Sequence, residues 1–338
     1  MSKQIATRPR TFSRISGLGV YRPTEVVPNE AIIHNIDSSD EWIRERSGII
    51  TRRYATADVT IIDMAVWAAE KAIADAGLTP ADIDNVIVST ISHPYQTPSA
   101  AVFIADRLGI PNPGAMDISA ACAGFCYAIG MADAEVSSGQ SRNTLVIGVE
   151  KLSEWIDIND RGTAFIFADG AGAVVVSPSE TAEIGPTMWG SDGSNWDAIV
   201  MAPGLHEIRD PKDPKAVVGE RPVLRMQGQK VFRWTVSEMP KIAHAAIEAA
   251  GLTPADIDVF VPHQANLRIT KAMMKSLGFA DDIKVAEDIQ FSGNTSAASI
   301  PLGLEQLRST GVAQSGELAL LIGFGAGLAY AAQVVRIP

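Results

Sequence analysis

Cysteine is almost missing from this chain: its 338 residues include only Cys122 and Cys126. Four positions apart, they offer neither a long-loop disulfide framework nor metal-type spacing, and a reducing cytoplasm is the expected compartment. Long apolar runs are absent as well. None approaches the ~18 consecutive residues of a membrane span, and the basic N-terminal stretch MSKQIATRPRTFSRISG lacks the apolar core of a signal peptide. Positive charge is in deficit, with 28 Lys and Arg against 39 Asp and Glu and a net charge of −11. That balance argues against general nucleic-acid binding. No GxxxxGK[ST] phosphate loop occurs, and His206-Glu207-Ile208-Arg209-Asp210 lacks the second histidine of a zinc protease. GFGAG at Gly323–Gly327 lies between two apolar runs rather than opening a helix, so it is not a dinucleotide fingerprint. No metal site is expected.

What is present reads as an α/β protein. A hydrophobic fraction of 46% and a charged fraction of 20% are ordinary for a globular chain with a sizeable interior. The length predicts one large domain or two closely packed halves. Residues 12–20 read as a first strand, and YRPTEVVPN as a Pro-broken turn into a short helix. Ile61–Ala76 has a helical period stopped by Gly77, Asn85–Ser92 is β-rich, Ser99–Leu108 is helical, and Thr144–Val149 is an apolar strand. Helices are predicted from Gly228 to about Ala250 and over Leu267–Leu277, with a strand at Val259–Val261 between them. Leu318–Ile322 and Ala329–Ile337 close the chain as strands. Residues 190–222, rich in Gly, Pro and Asp, read as a long excursion over the surface rather than a separate domain.

An internal repeat organises this alternation. AGLTPADID occurs at Ala76–Asp84 and again, unchanged, at Ala250–Asp258, an offset of 174. In both places a helix precedes it and an apolar strand follows. The same offset carries Cys122 onto Ser296, inside GNTSAASIP, a second small-residue junction between strand and helix. The glycine-rich stretches DGAGAVVV at Asp169 and GFGAGLAY at Gly323 are expected to correspond at a nearby offset. Ligands of open α/β sheets gather outside the carboxyl ends of strands. Cys122, the segment after Val261 and the Asn294 loop should therefore converge.

The stretch MDISAACAGFCYA at Met116–Ala128 holds the candidate nucleophile. Met116–Ser119 reads as the end of a buried strand, and a helix is predicted to about Ser137. A thiol at such a junction meets unpaired helix N–H groups, a field that favours thiolate. Cys126, one helical turn on, is expected only to pack. His263, in VPHQAN, and Asn294, in SGNTS, are the candidate partners. Two chemistries remain open on these residues. His can deprotonate Cys for hydrolysis. Alternatively, Cys holds an acyl thioester while neutral His and Asn donate hydrogen bonds to an enolate oxygen. Two donors with no nearby carboxylate suit the second. The backbone N–H groups of Cys122 and of the Gly325-Ala326-Gly327 stretch can form an oxyanion hole for acyl transfer.

Two surface features complete the reading. Trp42 and Arg46, at i and i+4 on a helix capped by Ser39, can cradle an adenine nucleotide. Arg268, Lys271 and Lys275 place three cations on one helical face, a docking patch for an acidic partner.

The chain resembles ketoacyl-ACP synthase III, the initiating condensing enzyme of dissociated bacterial fatty-acid synthesis, within the thiolase superfamily. The resemblance spans nearly the whole chain through DISAACAGF, DRGTAFIFADGAGA, VPHQANLRI, GNTSAASIPL and the terminal GFGAG. It looks most like actinobacterial members. It implies a five-layered αβαβα fold of two duplicated halves, here 1–178 and 179–338, and a homodimer. It also implies an acyltransferase in which acyl-CoA acylates Cys122 and malonyl-ACP then decarboxylates, its enolate attacking the thioester. His263 and Asn294 match the decarboxylation pair, and Cys122 with Ala326 the backbone oxyanion hole. Trp42 and Arg161 match residues that sandwich the CoA adenine, and Arg46 a phosphate-side contact. Phe232 matches an aromatic beside the tunnel. Arg268 and Lys275, with Lys271 between them, match carrier-protein docking cations. No cofactor is implied, since the CoA and carrier-protein thioesters are substrates. Thr97 stands where acetyl-preferring members carry a phenylalanine that reaches the partner's acyl pocket, so longer or branched primers are expected. A related enzyme of secondary metabolism, priming a polyketide or transferring an acyl group to an alcohol or amine, is the alternative.

Overall fold

Two stretches of identical sequence, AGLTPADID, fold identically. In each, a helix ends on a glycine at positive φ, Gly77 at 67° and Gly251 at 74°, the left-handed conformation that stops a helix without steric penalty. A threonine then caps a single 3-10 turn: Thr79 N–H donates to Asp82 Oδ2 at 2.9 Å, and Thr253 N–H to Asp256 Oδ2 at 2.8 Å. The computed structural model describes residues 10–204, 206–210, 212–213 and 215–338. The start of the basic N-terminal stretch, residues 1–9, lies outside them.

The first half runs β1 (Phe12–Tyr21), β2 (Glu25–Pro28), α1 (Glu30–Ile36), α2 (Asp40–Ser47), β3 (Thr51–Tyr54) and α3 (Ile61–Asp75). It continues with β4 (Asn85–Ser89), α4 (Ala100–Leu108), β5 (Gly114–Ile118), α5 (Gly124–Ser137), β6 (Thr144–Lys151) and β7 (Asp169–Ser179). The second half holds β8 (Met188–Gly190), β9 (Ile199–Ala202), β10 (Val223–Met226), α6 (Gly228–Ala249), β11 (Val259–Pro262) and α7 (Leu267–Leu277). It closes with β12 (Lys284–Val285), α8 (Ile289–Ser292), α9 (Ser299–Ser309), β13 (Leu318–Phe324) and β14 (Tyr330–Arg336).

The two main sheets share one plan. The orders are β1-β7-β6-β4-β5 and β8-β14-β13-β11-β12. In both, the three strands from centre to far edge are parallel to one another, and the remaining two are each joined antiparallel to the next strand in the order. Side chains alternate across each sheet. Leu145, Ile147 and Val149 of β6 join α3 and α4 in one cluster, while Val146 points the other way into the cluster around α5 and α9. In β13, Leu320, Ile322 and Phe324 face α6 and α7, and Ala319 and Leu321 face the middle. The layers are therefore α3/α4, sheet, α5/α9, sheet, α6/α7. Each aliphatic side chain so buried contributes about 1.5–3 kcal/mol.

The topology revises four expectations. YRPTEVVPN contains strand β2, which pairs with β3 in a ribbon of its own. Met116–Ile118 is half-buried rather than buried, because β5 is an outer edge strand. Asp169–Val176 belongs to β7, whereas Gly323 belongs to β13, the counterpart of β6, so those glycine-rich stretches do not correspond. Their glycines meet different neighbours: a Cβ on Gly172 would meet Pro301 at 2.5 Å, and one on Gly323 would meet Ala123 at 2.9 Å. The junctions also align one residue later than the offset of 174. The turns Ala121–Ala123 and Ser296–Ala298 are equivalent, placing Ser296 opposite Ala121 and Ala297 opposite Cys122.

Gly148 and Gly323 lock the halves together. A Cβ on Gly148 of β6 would fall 2.3 Å from the Ala297 carbonyl oxygen, and one on Gly323 of β13 would fall 2.9 Å from that of Cys122. Each half's junction thus sits against the other half's central strand, at a distance only glycine permits.

Candidate active site

The strand-to-helix junction of the first half presents Cys122. Ala121 has φ of 46°, uncommon for a residue with a Cβ, and the chain turns through Ala121–Ala123 directly into α5. Cys122 opens on a cavity of about 770 Å³ that His263, Asn294, Trp42 and Arg268 also line, within the size range of small-molecule sites. The duplication therefore brings the three candidate residues to one cavity. The thiol is 8% exposed. Burial pushes it up to about 12, with the neighbouring Glu150 adding to the rise and a hydrogen bond with Ser296 opposing it. This corrects the thiolate expected from the helix N-terminus: desolvation outweighs the helix field in the substrate-free site.

His263 follows β11 and is 2% exposed. Burial lowers its pKa to about 3, so the imidazole is neutral at physiological pH. Its Nδ1 lies 2.7 Å from the Ser299 hydroxyl, and that hydroxyl oxygen accepts the Gln264 N–H at 3.2 Å. Assigning the Ser299 proton to this contact, so that Ser299 donates to Nδ1, puts the ring's own proton on Nε2. Phe324 packs edge-on against the ring at 5.2 Å. Gln264 anchors the same loop, donating to the Pro262 carbonyl at 2.7 Å and accepting the Ile289 N–H at 3.2 Å.

Asn294 is held by the first half. Its N–H donates to the Ile166 carbonyl and its carbonyl accepts the Ala168 N–H, both at 2.9 Å. Gly293 before it, at φ of 70°, has no room for a Cβ between Arg52 and Ala168. The Asn294 Oδ1 accepts the Ser296 N–H at 2.9 Å. The amide orientation follows: the oxygen is engaged and Nδ2 remains as a donor.

A carboxylate does lie nearby, contrary to the sequence reading. Glu150, the last apolar-strand position before Lys151, is 0% exposed. It accepts hydrogen bonds from the Ser92 hydroxyl at 2.6 Å, from Ile91 N–H at 3.2 Å and from the Ser296 hydroxyl at 3.2 Å.

At the cavity mouth, the Arg161 guanidinium lies 4.7 Å and that of Arg46 5.9 Å from the centre of the Trp42 ring. Phe165 supports Trp42 edge-on at 5.2 Å. Phe232 lines the cavity, and Arg268 sits 5.2 Å over its ring. Ala326 also lines it, beside Gly325, whose Cα hydrogens face Cys122 at the limit of contact. Lys271 and Lys275 continue the exposed face of α7 outward from Arg268. Thr97 is exposed and outside the cavity of its own chain, because the loop after β4 turns away toward the β5 edge. The excursion at 190–222 is not wholly superficial: Ile199 in β9 forms part of the cavity wall with Leu224 of the paired β10. Cys126 is fully buried in the middle layer and its carbonyl accepts the Gln333 amide at 3.1 Å.

Sequence reasoning missed Glu150, Gln264 and Ser299 and gave Ser296 no role. One signal was available for the first, a carboxylate ending the otherwise apolar run TLVIGV.

Known proteins are similar to this chain in sequence and fold. The models for 3-oxoacyl-[acyl-carrier-protein] synthase III match residues 116–193 and, for its C-terminal part, 247–337. The chain is 52% identical to the beta-ketoacyl-[acyl-carrier-protein] synthase III of Streptomyces glaucescens, over all of both chains. Among solved structures, it is similar to the priming beta-ketosynthase of the R1128 polyketide pathway, at 44% identity and a TM-score of 0.95 over 99% of each chain. It is also similar to the synthase III of Aquifex aeolicus, at 38% identity and a TM-score of 0.86 over 96% of this chain and 100% of that one. With its duplicated layers and the Cys122, His263 and Asn294 cavity, the chain belongs to the 3-oxoacyl-[acyl-carrier-protein] synthase III family.

Proposed function

We propose that this enzyme condenses an acyl-CoA primer with malonyl-ACP, releasing carbon dioxide and yielding 3-oxoacyl-ACP at the start of fatty-acid synthesis. The Cys122 sulfur attacks the primer's thioester carbonyl, CoA leaves, and the acyl group stays on sulfur. Malonyl-ACP then loses carbon dioxide, and its enolate carbon attacks that thioester. The observation that carries the reading is the pairing of a neutral His263 with Asn294, each with a donor left over once its other polar atom is engaged. Two neutral donors stabilise an enolate oxygen; one well-placed donor is worth about 2.7–4 kcal/mol in comparable oxyanion sites. A hydrolase would need His263 as a base, and its depressed pKa opposes that. The N–H groups of Cys122 and Ala326 receive the oxyanion of acyl transfer.

Substrates enter from the mouth. The adenine of CoA inserts between Trp42 and Arg161, which requires the guanidinium to lift from 4.7 Å to about 7 Å, two van der Waals spacings. Arg46 meets the phosphates, and Arg268, Lys271 and Lys275 dock the acidic carrier protein. Both thioesters are substrates, so no cofactor takes part. The enzyme works in the cytoplasm as a homodimer, a reading supported by the open edge of β5 and by exposed Tyr95, Val102 and Phe103 beside it. Across that edge Thr97 reaches the partner's acyl pocket, where its small side chain leaves space for longer or branched primers.

The test is a panel of acyl-CoAs with malonyl-ACP, following carbon dioxide and 3-oxoacyl-ACP together. Stoichiometric formation of both supports the reading. Acylation of Cys122 without carbon dioxide release sinks it and favours acyl transfer to an alcohol or amine. The 0.95 TM-score to a polyketide-priming enzyme favours one second reading, the same condensation serving polyketide synthesis. Deleting the gene separates them: loss of growth restored by fatty acids marks the fatty-acid role.

A further inference from the structure

Burial keeps the resting thiol protonated, and His263, in the tautomer assigned above, is a donor rather than a base. Acylation of Cys122 therefore needs another acceptor for the thiol proton. Behind the sulfur stands a chain of hydrogen-bonding groups that the condensation steps above do not use. Ser296 lines the cavity with Cys122, its side chain favours the ionised Cys122 sulfur, and its hydroxyl reaches Glu150 Oε1 at 3.2 Å. Glu150 is fully buried and, unlike Ser296, does not line the cavity. Resting on the proposed condensing chemistry, we infer that Glu150, acting through Ser296, takes the Cys122 proton during acylation and returns it when the thiolate is released by condensation.

The relay balances. As the S–C bond forms at the primer's carbonyl, the thiol proton passes to Ser296 Oγ and the original Ser296 proton passes to Glu150 Oε1. The CoA thiolate departs and takes its proton from solvent at the mouth. In the condensation step the enolate carbon displaces the Cys122 thiolate, and the two protons run back. The same serine thereby bonds to thiol and carboxylate alternately, which accounts for both of its contacts.

The surroundings suit a group that both gains and gives up a proton. Burial raises Glu150 to about 7, opposed by bonds from Ser92, Ile91, Ser296 and Thr90, so both forms are populated near neutral pH. The groups facing it are those donors and the Cys122 thiol. Its neighbour Lys151 turns its ammonium to the opposite side, onto the Thr56 and Val59 carbonyls. Asp169, across from Lys151 on β7, is held by Ser153 and Ala55. Backbone geometry also favours a clean test. Ser296 has φ of 49° and its counterpart Ala121 has 46°, so alanine is accommodated in this turn.

The experiment alkylates Cys122 with iodoacetamide from pH 5.5 to 9 and reads the modified peptide by mass, needing no acyl-CoA. In this reaction the S–C bond forms, iodide leaves and the thiol proton goes to the relay. In the native enzyme the rate should climb through about pH 7 and level off. Glu150→Gln and Ser296→Ala should each slow it at least tenfold at pH 7.5 and shift the climb to higher pH. If Glu150→Gln instead speeds alkylation, the carboxylate only opposes the thiolate by its charge, and the relay is wrong. An unchanged rate in folded Ser296→Ala equally overturns it. Because the probe is not a substrate, failure of the condensation assay leaves this result standing on its own, and the reverse holds too.

Discussion

The molecule contains the same turn twice and uses it for two different purposes. Ala121 and Ser296 share a left-handed backbone, each turn opens a helix of the middle layer, and each lies against a glycine of the other half's central strand. Holding a residue with a Cβ in that conformation costs on the order of 1–3 kcal/mol, and the crossed packing supplies what keeps it there. The first turn presents a sulfur to the cavity. In the second, Ala297 does not line the cavity, whereas Ser296 and, just before it, Asn294 do. Duplication delivers the scaffold, and function comes from the side chains placed on it.

The comparison breaks most visibly at the thiol. Cys122→Ala should abolish condensation, by on the order of 10³-fold or more, and adding Ala297→Cys should restore nothing, since that position does not line the cavity. Measurable acyl-adduct formation at position 297 in the double variant would mean that the turn alone determines reactivity. A smaller effect sharpens the symmetry. Gly148→Ala and Gly323→Ala each force a methyl onto a backbone carbonyl, and each should destabilise by about 3 kcal/mol, read by denaturant unfolding. Gly323→Ala should impair acylation the more, because its neighbour is Cys122 itself, whereas Gly148 meets Ala297, one residue from Ser296. Equal activity losses would show that the two glycines serve the site alike.

Much of this was legible from the chain. The repeat announced the duplication, because its threonine and aspartate close a local capping box whose geometry depends on nearby residues alone. Helix ends at Gly77 and Gly251 were readable for the same reason. The Cys122, His263 and Asn294 convergence followed from equivalent strand ends. What stayed hidden depends on distant contacts. The thiol's protonated state is set by burial, which the helix-start rule ignores. Glu150 and Ser296 are 146 positions apart and meet only because the halves interlock. Thr97 leaves its own cavity because the β4 loop runs toward the β5 edge, and no local pattern states that. The single-residue slip between AGLTPADID and the junctions likewise appears only when the turns are overlaid.

The central claim is that Cys122 carries the acyl group while His263 and Asn294 generate the carbanion. Intact-protein mass after mixing Asn294→Ala with acyl-CoA and then malonyl-ACP tests it directly. The acyl adduct should form at nearly the native rate and persist, with carbon dioxide release slowed about 100-fold, one lost oxyanion donor. Loss of adduct formation and of decarboxylation to the same degree would contradict the assignment.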